Sequence, residues 1–139
     1  MTLIRPFAPR DTESVVSLWQ DTGLTRSWNN PHLDIQRKLA VQPELFLVAI
    51  DGDDVVGSVM GGYDGHRGWI YYLATSPRRR GEGIARTLVE TVEEALLEMG
   101  CPKVQLMVRE GNDGVLGFYD ALGYERFDVA TTGKRLIAD

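Results

Sequence analysis

A block of arginines and glycines, set between an apolar run and a helical pattern, is the first feature of this sequence that could do chemistry. The stretch RRRGEG runs from Arg78 to Gly83. A helix that begins there exposes unpaired backbone N–H groups and the positive end of its dipole. Glycine leaves room for a ligand to reach those groups, and arginine adds a planar fork for phosphate oxygens. The block predicts a diphosphate site; the alternative is a solvated arginine turn.

Other phosphate motifs fit this block poorly. A P-loop would carry Gly-Lys followed by Ser or Thr, and none occurs here. A dinucleotide fingerprint would need a third glycine at position 86, where the chain has Arg86. No acidic cluster suited to a metal lies nearby. We therefore expect a ligand whose phosphates bind without a metal ion.

Composition and charge narrow the class of protein. The chain has 139 residues, which fits one domain, here residues 1–139, and a net charge of −5. That charge disfavours nucleic acid or an anionic membrane as the main partner and favours an amine-bearing ligand. No apolar stretch approaches the ~18 residues of a membrane span. The N-terminal residues show no signal-peptide pattern, and the single cysteine, Cys101, rules out an intrachain disulfide, so we expect a cytoplasmic setting. Cys101 itself is expected to be a packed thiol.

Hydrophobic patterns predict the elements that must position this block. The order is β-α-α-β-β-β-α-β-α-β-β, a single α/β domain with a mixed sheet. Asn30 before Pro31 is typical of a helix start. A long amphipathic helix begins after Gly83, and a short one begins at Asn112. The predicted strands are LIRPF, LFLVAI, VVGSVM, WIYYLATS, KVQLMV, YERF and KRLIA.

Two motifs carry a resemblance to a known family. RRRGEG resembles the Arg/Gln-x-x-Gly-x-Gly/Ala signature of the GNAT superfamily of acetyl-CoA-dependent N-acetyltransferases. The stretch VREGNDGVLGFYDALGYE resembles a later motif of that family, in which Asn112 precedes Tyr119 by seven residues and Gly123-Tyr124 closes the helix. The stretches GGYDGHRG, GCPK and GKRLI are further similar to the YpeA subfamily of bacterial GNAT proteins.

The resemblance implies both a fold and an activity. The fold is a mixed, mostly antiparallel sheet of six to seven strands, splayed between strands 4 and 5 and flanked by about four helices. The activity is direct transfer of an acetyl group from acetyl-CoA to a primary amine of a small molecule or peptide, without a metal. A non-catalytic regulator that binds CoA or acyl-CoA is the alternative. Relatives often pair through their C-terminal strands, which makes a homodimer an option.

The same resemblance implies roles for particular residues. Leu73 and Thr75 pair their backbone with the pantetheine arm, and the Leu73 N–H donates to the thioester oxygen. Tyr119 is the general acid for the leaving thiolate, with a core aromatic as the alternative, and Asn112 both caps its helix and reaches the cofactor. The full cofactor set is Leu73, Ala74, Thr75, Arg78, Arg79, Arg80, Gly81, Glu82, Gly83, Ile84, Ala85, Asn112 and Tyr119.

The general base for the amine stays open at this level. In the ribosomal-protein N-terminal acetyltransferases of the superfamily a Glu lies five residues before the Asn, but here that position is Met107. Tyr71 and Tyr72 should point to opposite faces of a strand, so at most one of them faces the cleft. The candidates are Glu110, Asp64, His66, Tyr71, Tyr72 or a water molecule.

Overall fold

A computed structural model describes residues 2–139, in which five strands and four α-helices alternate much as the sequence predicts. In chain order the elements are β1 (Thr2–Pro6), α1 (Thr12–Asp21), α2 (Pro31–Leu39), β2 (Phe46–Asp51), β3 (Asp54–Tyr63), β4 (Gly68–Thr75), α3 (Ile84–Glu98), β5 (Val104–Gln105) and α4 (Asp113–Ala121). Short 3-10 turns occupy Pro9–Asp11, Pro43–Leu45 and Pro77–Arg79.

The strands form one mixed sheet in the order β1-β2-β3-β4-β5, which confirms the predicted fold class. The first four strands pair antiparallel, whereas β4 and β5 pair parallel. That last pairing covers only Gly68↔Val104 and Trp69↔Gln105. The rest of β4 therefore runs on without β5 beside it, which is the splay that the resemblance implies.

The two predicted C-terminal strands are wrong in this structure. Residues 124–138 contain no strand. The large apolar side chains of this segment include strongly solvent-exposed ones, with Val129 75% and Leu136 88% exposed. A β-type pattern describes how side chains would suit a sheet, but a strand also needs a neighbouring backbone to pair with. A homodimer stays a prediction, although residues 124–138 do not form the strands through which relatives often pair.

Helix α3 packs against one face of the sheet at unusually close range. A Cβ on Gly57 would lie 2.9 Å from the Ile84 side chain, and one on Gly61 would lie 2.7 Å from Val92. Glycine at these two positions lets the backbone of β3 approach the helix. The side chains that α3 turns toward the sheet, including Leu88 and Val92, are fully buried. This contact fixes where the N-terminus of α3 lies relative to the end of β4.

The main apolar core lies under α1 and α2 and includes Trp19, Ile35 and Phe46. Trp19 and Phe46 have no exposed surface. The Phe7 and Phe46 rings stack with centroids 4.3 Å apart. Tyr72 of β4 packs against the edge of this core, so the strand that carries the candidate site is tied to α1.

The chain divides into two compact units. The first ends at Gln105 and also includes Asp139, and the second is Leu106–Ala138. Within the second unit the Asn112 side chain caps α4 by accepting from the Val115 N–H at 3.4 Å. A single domain over residues 1–139 stays a prediction.

Among residues 2–139 there is no helix with the length and apolar character needed to cross a membrane.

Candidate active site

Strand β4 contains a β-bulge where the sequence resemblance places the reacting carbonyl. The register pairs Met60 with Tyr71 and Ser58 with Ala74, so two residues of β4 lie opposite Val59 alone. These two residues are Tyr72 and Leu73. Tyr72 adopts φ +51°, a left-handed backbone conformation that is uncommon for a residue other than glycine. A bulge re-aims the backbone of its strand, and here it does so at Leu73.

A buried hydrogen-bonded chain holds this bulge in place. The Trp19 indole N–H donates to Ser58 Oγ at 2.9 Å, and the Ser58 hydroxyl donates to the Tyr72 carbonyl at 3.0 Å. The Trp19 and Tyr72 rings stack with centroids 3.8 Å apart. The Tyr72 hydroxyl donates to Asp34 Oδ2 at 2.6 Å. The strained residue is thus fixed at its backbone, its ring and its hydroxyl.

Replacing Ser58 by Ala should destabilise the protein by about 1–3 kcal/mol, because the indole N–H and the Tyr72 carbonyl would both lose a buried partner. Ser58 has no exposed surface, so water does not replace the hydroxyl freely. Urea unfolding measures the free energy, and Ser27→Ala, the same change at an exposed serine, is the control. A Ser58→Ala variant as stable as the control would show that the chain of hydrogen bonds does not hold the bulge.

The segment after β4, which we call the Arg-Gly turn (residues 77–83), presents a row of backbone donors. Gly81 and Gly83 have φ +83° and +80°, values that favour glycine, and open space surrounds the position of a Cβ on either. Within residues 2–139 the N–H groups of residues 80–83 have no hydrogen-bond acceptor. Helix α3 begins directly afterwards without a side-chain cap. The turn therefore fits a phosphate group, which needs several donors at one place.

The three arginines of this turn do not play the same part. Arg79 donates to Asp51 at 2.6 Å and to Glu82 at 2.8 and 3.0 Å, and its own N–H donates to the Ser76 carbonyl at 2.9 Å. The hydrogen bonds to Glu82 and Asp51 raise the pKa of the Arg79 guanidinium. Arg79 and Glu82 thus brace the turn from within. In the described part of the chain Arg78 and Arg80 have exposed guanidinium groups with no ion pair.

The remaining predicted cofactor residues of the first unit frame this turn. Leu73, Ala74 and Thr75 form the end of β4, and Ile84 and Ala85 form the first turn of α3. The Thr75 hydroxyl oxygen is buried and has no partner in the described residues, so it could serve a ligand that lies along this edge. Ala74 is buried in the core instead, which limits its contribution to its backbone. No group of three or more His, Cys, Asp or Glu side chains is arranged to hold a metal within residues 2–139.

Asn112 and Tyr119 belong to the second unit. Tyr119 is buried, and its ring lies edge-on to those of Phe118 and Tyr124, with centroids 5.0 and 5.1 Å apart. The cap predicted for Asn112 is present. This burial agrees with the core-aromatic alternative for Tyr119, and the role of its hydroxyl as a general acid stays a prediction.

The pKa shifts separate the candidate bases. Hydrogen bonds from the backbone N–H groups of Arg67 and His66, with the Trp69 indole, lower the pKa of Asp64, which weakens it as a base. Burial raises the pKa of Tyr71. Burial and the hydrogen bond to Asp34 raise that of Tyr72, so both phenols keep their protons at neutral pH. The other two side-chain candidates, His66 and Glu110, are exposed.

Two charged residues of α2 lie close to this region and were missed by the sequence reasoning. Asp34 accepts a hydrogen bond from the Tyr72 hydroxyl, and Arg37 Nη1 lies 3.4 Å from Asp34 Oδ1. The available signal was weak: Asp34 is an acidic residue between two apolar ones, Leu33 and Ile35, on a helix with a buried face. Only the fold shows that this helix places Asp34 against β4.

Comparisons with known proteins identify the family of this chain. The profile of the acetyltransferase (GNAT) family matches residues 12–124. A protein of Pectobacterium atrosepticum named acetyltransferase is 54% identical over 136 residues, which cover 98% of this chain and 96% of that one. Ard1 from Thermoplasma volcanium is 32% identical with a TM-score of 0.76, covering 88% of this chain and 81% of that one. A NatC complex bound to Gag peptide and CoA is 25% identical with a TM-score of 0.77, covering 91% and 86%.

Proposed function

Because this chain belongs to the GNAT family of acetyltransferases, we propose that it transfers the acetyl group of acetyl-CoA directly to a primary amine of a small molecule or peptide. The observation that carries the proposal is the succession of a bulged, splayed strand end and a donor-rich turn within one short stretch, residues 72–83. The Pectobacterium atrosepticum relative carries the name acetyltransferase, so the non-catalytic alternative gains no support from it. Bacterial relatives and a single buried thiol, Cys101, support a cytoplasmic setting.

The Arg-Gly turn supports CoA as the carrier. We assign the pyrophosphate to the N–H groups of residues 80–83 and of the first turn of α3, where the helix dipole adds a favourable field. Arg78 and Arg80 supply exposed positive charge, while Arg79 holds the turn through its bonds to Asp51 and Glu82. The NatC relative is described as bound to CoA, which supports the same assignment by similarity.

The strand end supplies the reaction geometry in this proposal. Acetyl-CoA contributes an activated thioester, whose carbonyl carbon a neutral amine attacks while the thiolate leaves. Leu73 and Thr75 hold the pantetheine arm through their backbone, as an added strand would be held. The Leu73 N–H, aimed by the bulge, donates to the carbonyl oxygen as its negative charge grows. Tyr119 gives a proton to the departing sulfur, and His66, Glu110 or water removes the proton of the amine.

An acetylation assay across a panel of amines tests this proposal. Purified protein, acetyl-CoA and mixtures of amino acids, peptides, polyamines and aminoglycosides should yield an N-acetylated product and free CoA in equal amounts, detected by mass spectrometry. Intact-protein mass spectrometry during turnover should show no acetyl group on Cys101, because the transfer is direct. Binding of acetyl-CoA without acetylation of any amine in the panel would contradict the proposed activity, and an acetylated Cys101 with ping-pong kinetics would contradict direct transfer.

A further inference from the structure

A carboxylate is seated at the start of α2, and it belongs to the chain itself. Asp139 Oδ2 accepts from the backbone N–H of Asn30 at 2.7 Å, and Oδ1 accepts from Arg37 Nη2 at 2.8 Å. The Asp139 side chain keeps only 3% of its surface exposed. Both of its oxygens therefore have a donor, and the contact is charge-assisted on the arginine side.

The donors of this site are held in place without Asp139. The Asn30 side chain caps α2 by accepting from the N–H groups of His32 and Leu33 at 3.0 and 3.3 Å, so the cap holds Asn30 at the start of the helix. The backbone N–H of Asn30 lies at the positive end of the helix dipole. Arg37 stands two turns further along the same helix and is steadied by Asp34. We call the Asn30 N–H and the Arg37 guanidinium the α2 carboxylate site.

Asp139 reaches this site from a segment that belongs to no regular element. Among the described residues after Gln105 it alone groups with the first unit. Residues 124–138, which lead to it, form no helix or strand. One side chain at the end of an irregular segment thus fills a site that helix α2 builds independently.

The α2 carboxylate site lies next to the proposed reaction centre. Arg37 contacts Asp34, and Asp34 accepts a hydrogen bond from the Tyr72 hydroxyl. Tyr72 immediately precedes Leu73 in the chain. Along this path, the Arg37 guanidinium can bind a carboxylate, and the Asp34 carboxylate can attract an ammonium group. The path ends at Leu73, at the strand end where acetyl transfer is proposed. A molecule with both an amine and a carboxylate matches this sequence of charges.

We propose that the α2 carboxylate site binds the carboxylate of the acceptor, which belongs to the class of amino carboxylates, such as amino acids. Asp139 occupies the same site in the free protein and competes with the acceptor. Asp34 draws the acceptor's ammonium group toward β4, where the proposed base, His66, Glu110 or water, accepts a proton from it before attack. This inference rests on the proposed function and specifies its substrate class.

Binding of a carboxylate probe tests the site without catalysis. N-acetylglycine is the probe, N-acetylglycinamide is its uncharged match, and the shifts of the Asn30 amide and the Arg37 guanidinium are followed by NMR. Asp139→Asn should tighten binding of N-acetylglycine about ten-fold or more, since the internal competitor loses its charge, and Arg37→Gln should weaken it by a similar factor. Neither substitution should change the binding of N-acetylglycinamide.

Control variants and a rate measurement complete the test. Asp128→Asn makes the same change at an exposed acid of residues 124–138 and should leave binding within two-fold, about the scatter expected of a surface change. In the presence of acetyl-CoA, the protein should acetylate a mixture of amino acids faster than a mixture of the corresponding amino-acid amides. Asp139→Asn should lower the KM for the amino acids. Arg37→Lys, which keeps the charge and loses the fork, should recover part of the affinity.

The outcomes separate this inference from the proposed function. If amides and acids react equally and N-acetylglycine leaves Asn30 and Arg37 unshifted in Asp139→Asn, the carboxylate site is overturned while acetyl transfer stands. If the NMR response appears but no amine is acetylated, the site is upheld and the proposed activity fails. An Asp139→Asn variant that binds the probe no better than wild type would show that Asp139 is a structural contact and not a competitor.

Discussion

Replacing Tyr119 by Phe should lower kcat roughly 30- to 300-fold on a confirmed amine, with the KM for acetyl-CoA changed by only a few-fold. The change removes one hydroxyl and keeps the ring that packs against Phe118 and Tyr124. A hydroxyl that protonates sulfur only as the thioester breaks contributes to the transition state and little to binding. General acid catalysis contributes about 10²–10⁴-fold, and water that enters in place of the hydroxyl limits the loss to the lower part of that range.

Tyr124→Phe is the matched control for this experiment, because it removes a hydroxyl from the ring edge-on to Tyr119 in the same unit. Its kcat should stay within a few-fold of wild type. A more acidic thiol as leaving group should shrink the loss in Tyr119→Phe, since a better leaving group needs less help from an acid. Equal kcat values in wild type and Tyr119→Phe would remove Tyr119 from the mechanism, and unfolding of Tyr119→Phe with an intact control would favour the core-aromatic interpretation.

The sequence predicted the fold best where local pattern and tertiary role coincide. Helix α3 has apolar residues every three to four positions and packs that stripe on the sheet, so Leu88 and Val92 were placed correctly. The strands up to β4 were also found, because each has a neighbour in the sheet. The C-terminal segments have the same β-type composition, yet they form no strand in residues 124–138. Composition alone does not supply the pairing partner that separates the two cases.

The candidate site was predictable where a motif is contiguous and unpredictable where the fold assembles it. The Arg-Gly turn could be found from six consecutive residues, although only the structure shows that Arg79 is committed to Asp51 and Glu82. The bulge at Tyr72 has no sequence signal, because the left-handed conformation falls on a tyrosine rather than a glycine. The partners that hold it, Trp19 and Ser58, are 39 residues apart and meet only through packing.

The α2 carboxylate site illustrates the same limit more strongly. Asn30 and Arg37 look in sequence like a helix cap and a surface arginine, and each is correctly described in that way. Their further use appears only because a carboxylate from residue 139 lies on both of them. A carboxylate site of this kind consists of one backbone donor and one side-chain donor, and the first of these leaves no trace in residue type.

Replacing Gly83 by Glu should abolish the stabilisation of the protein by acetyl-CoA. For wild type that stabilisation grows with the logarithm of ligand concentration above Kd and reaches about 2.7 kcal/mol at 100 times Kd, enough to raise the Tm by several degrees. Gly83 immediately precedes α3, and space around its Cβ position is open, so a glutamate side chain would extend into the region assigned to the pyrophosphate. Its negative charge would repel the phosphates and compete for the same N–H groups.

Gly83→Ala is the control that separates charge from backbone strain. Both variants place a Cβ on a residue with φ +80°, so both should lose about 1–2 kcal/mol of stability in the absence of ligand. Since no atom lies within 4 Å of that Cβ, the alanine itself blocks nothing, and Gly83→Ala should retain most of the acetyl-CoA shift. Thermal unfolding over a series of acetyl-CoA concentrations measures both effects. An undiminished shift in Gly83→Glu would place the pyrophosphate elsewhere. Loss of the shift in both variants would mean that phosphate binding by the Arg-Gly turn depends on the left-handed backbone at Gly83 and not on the absence of a nearby negative charge.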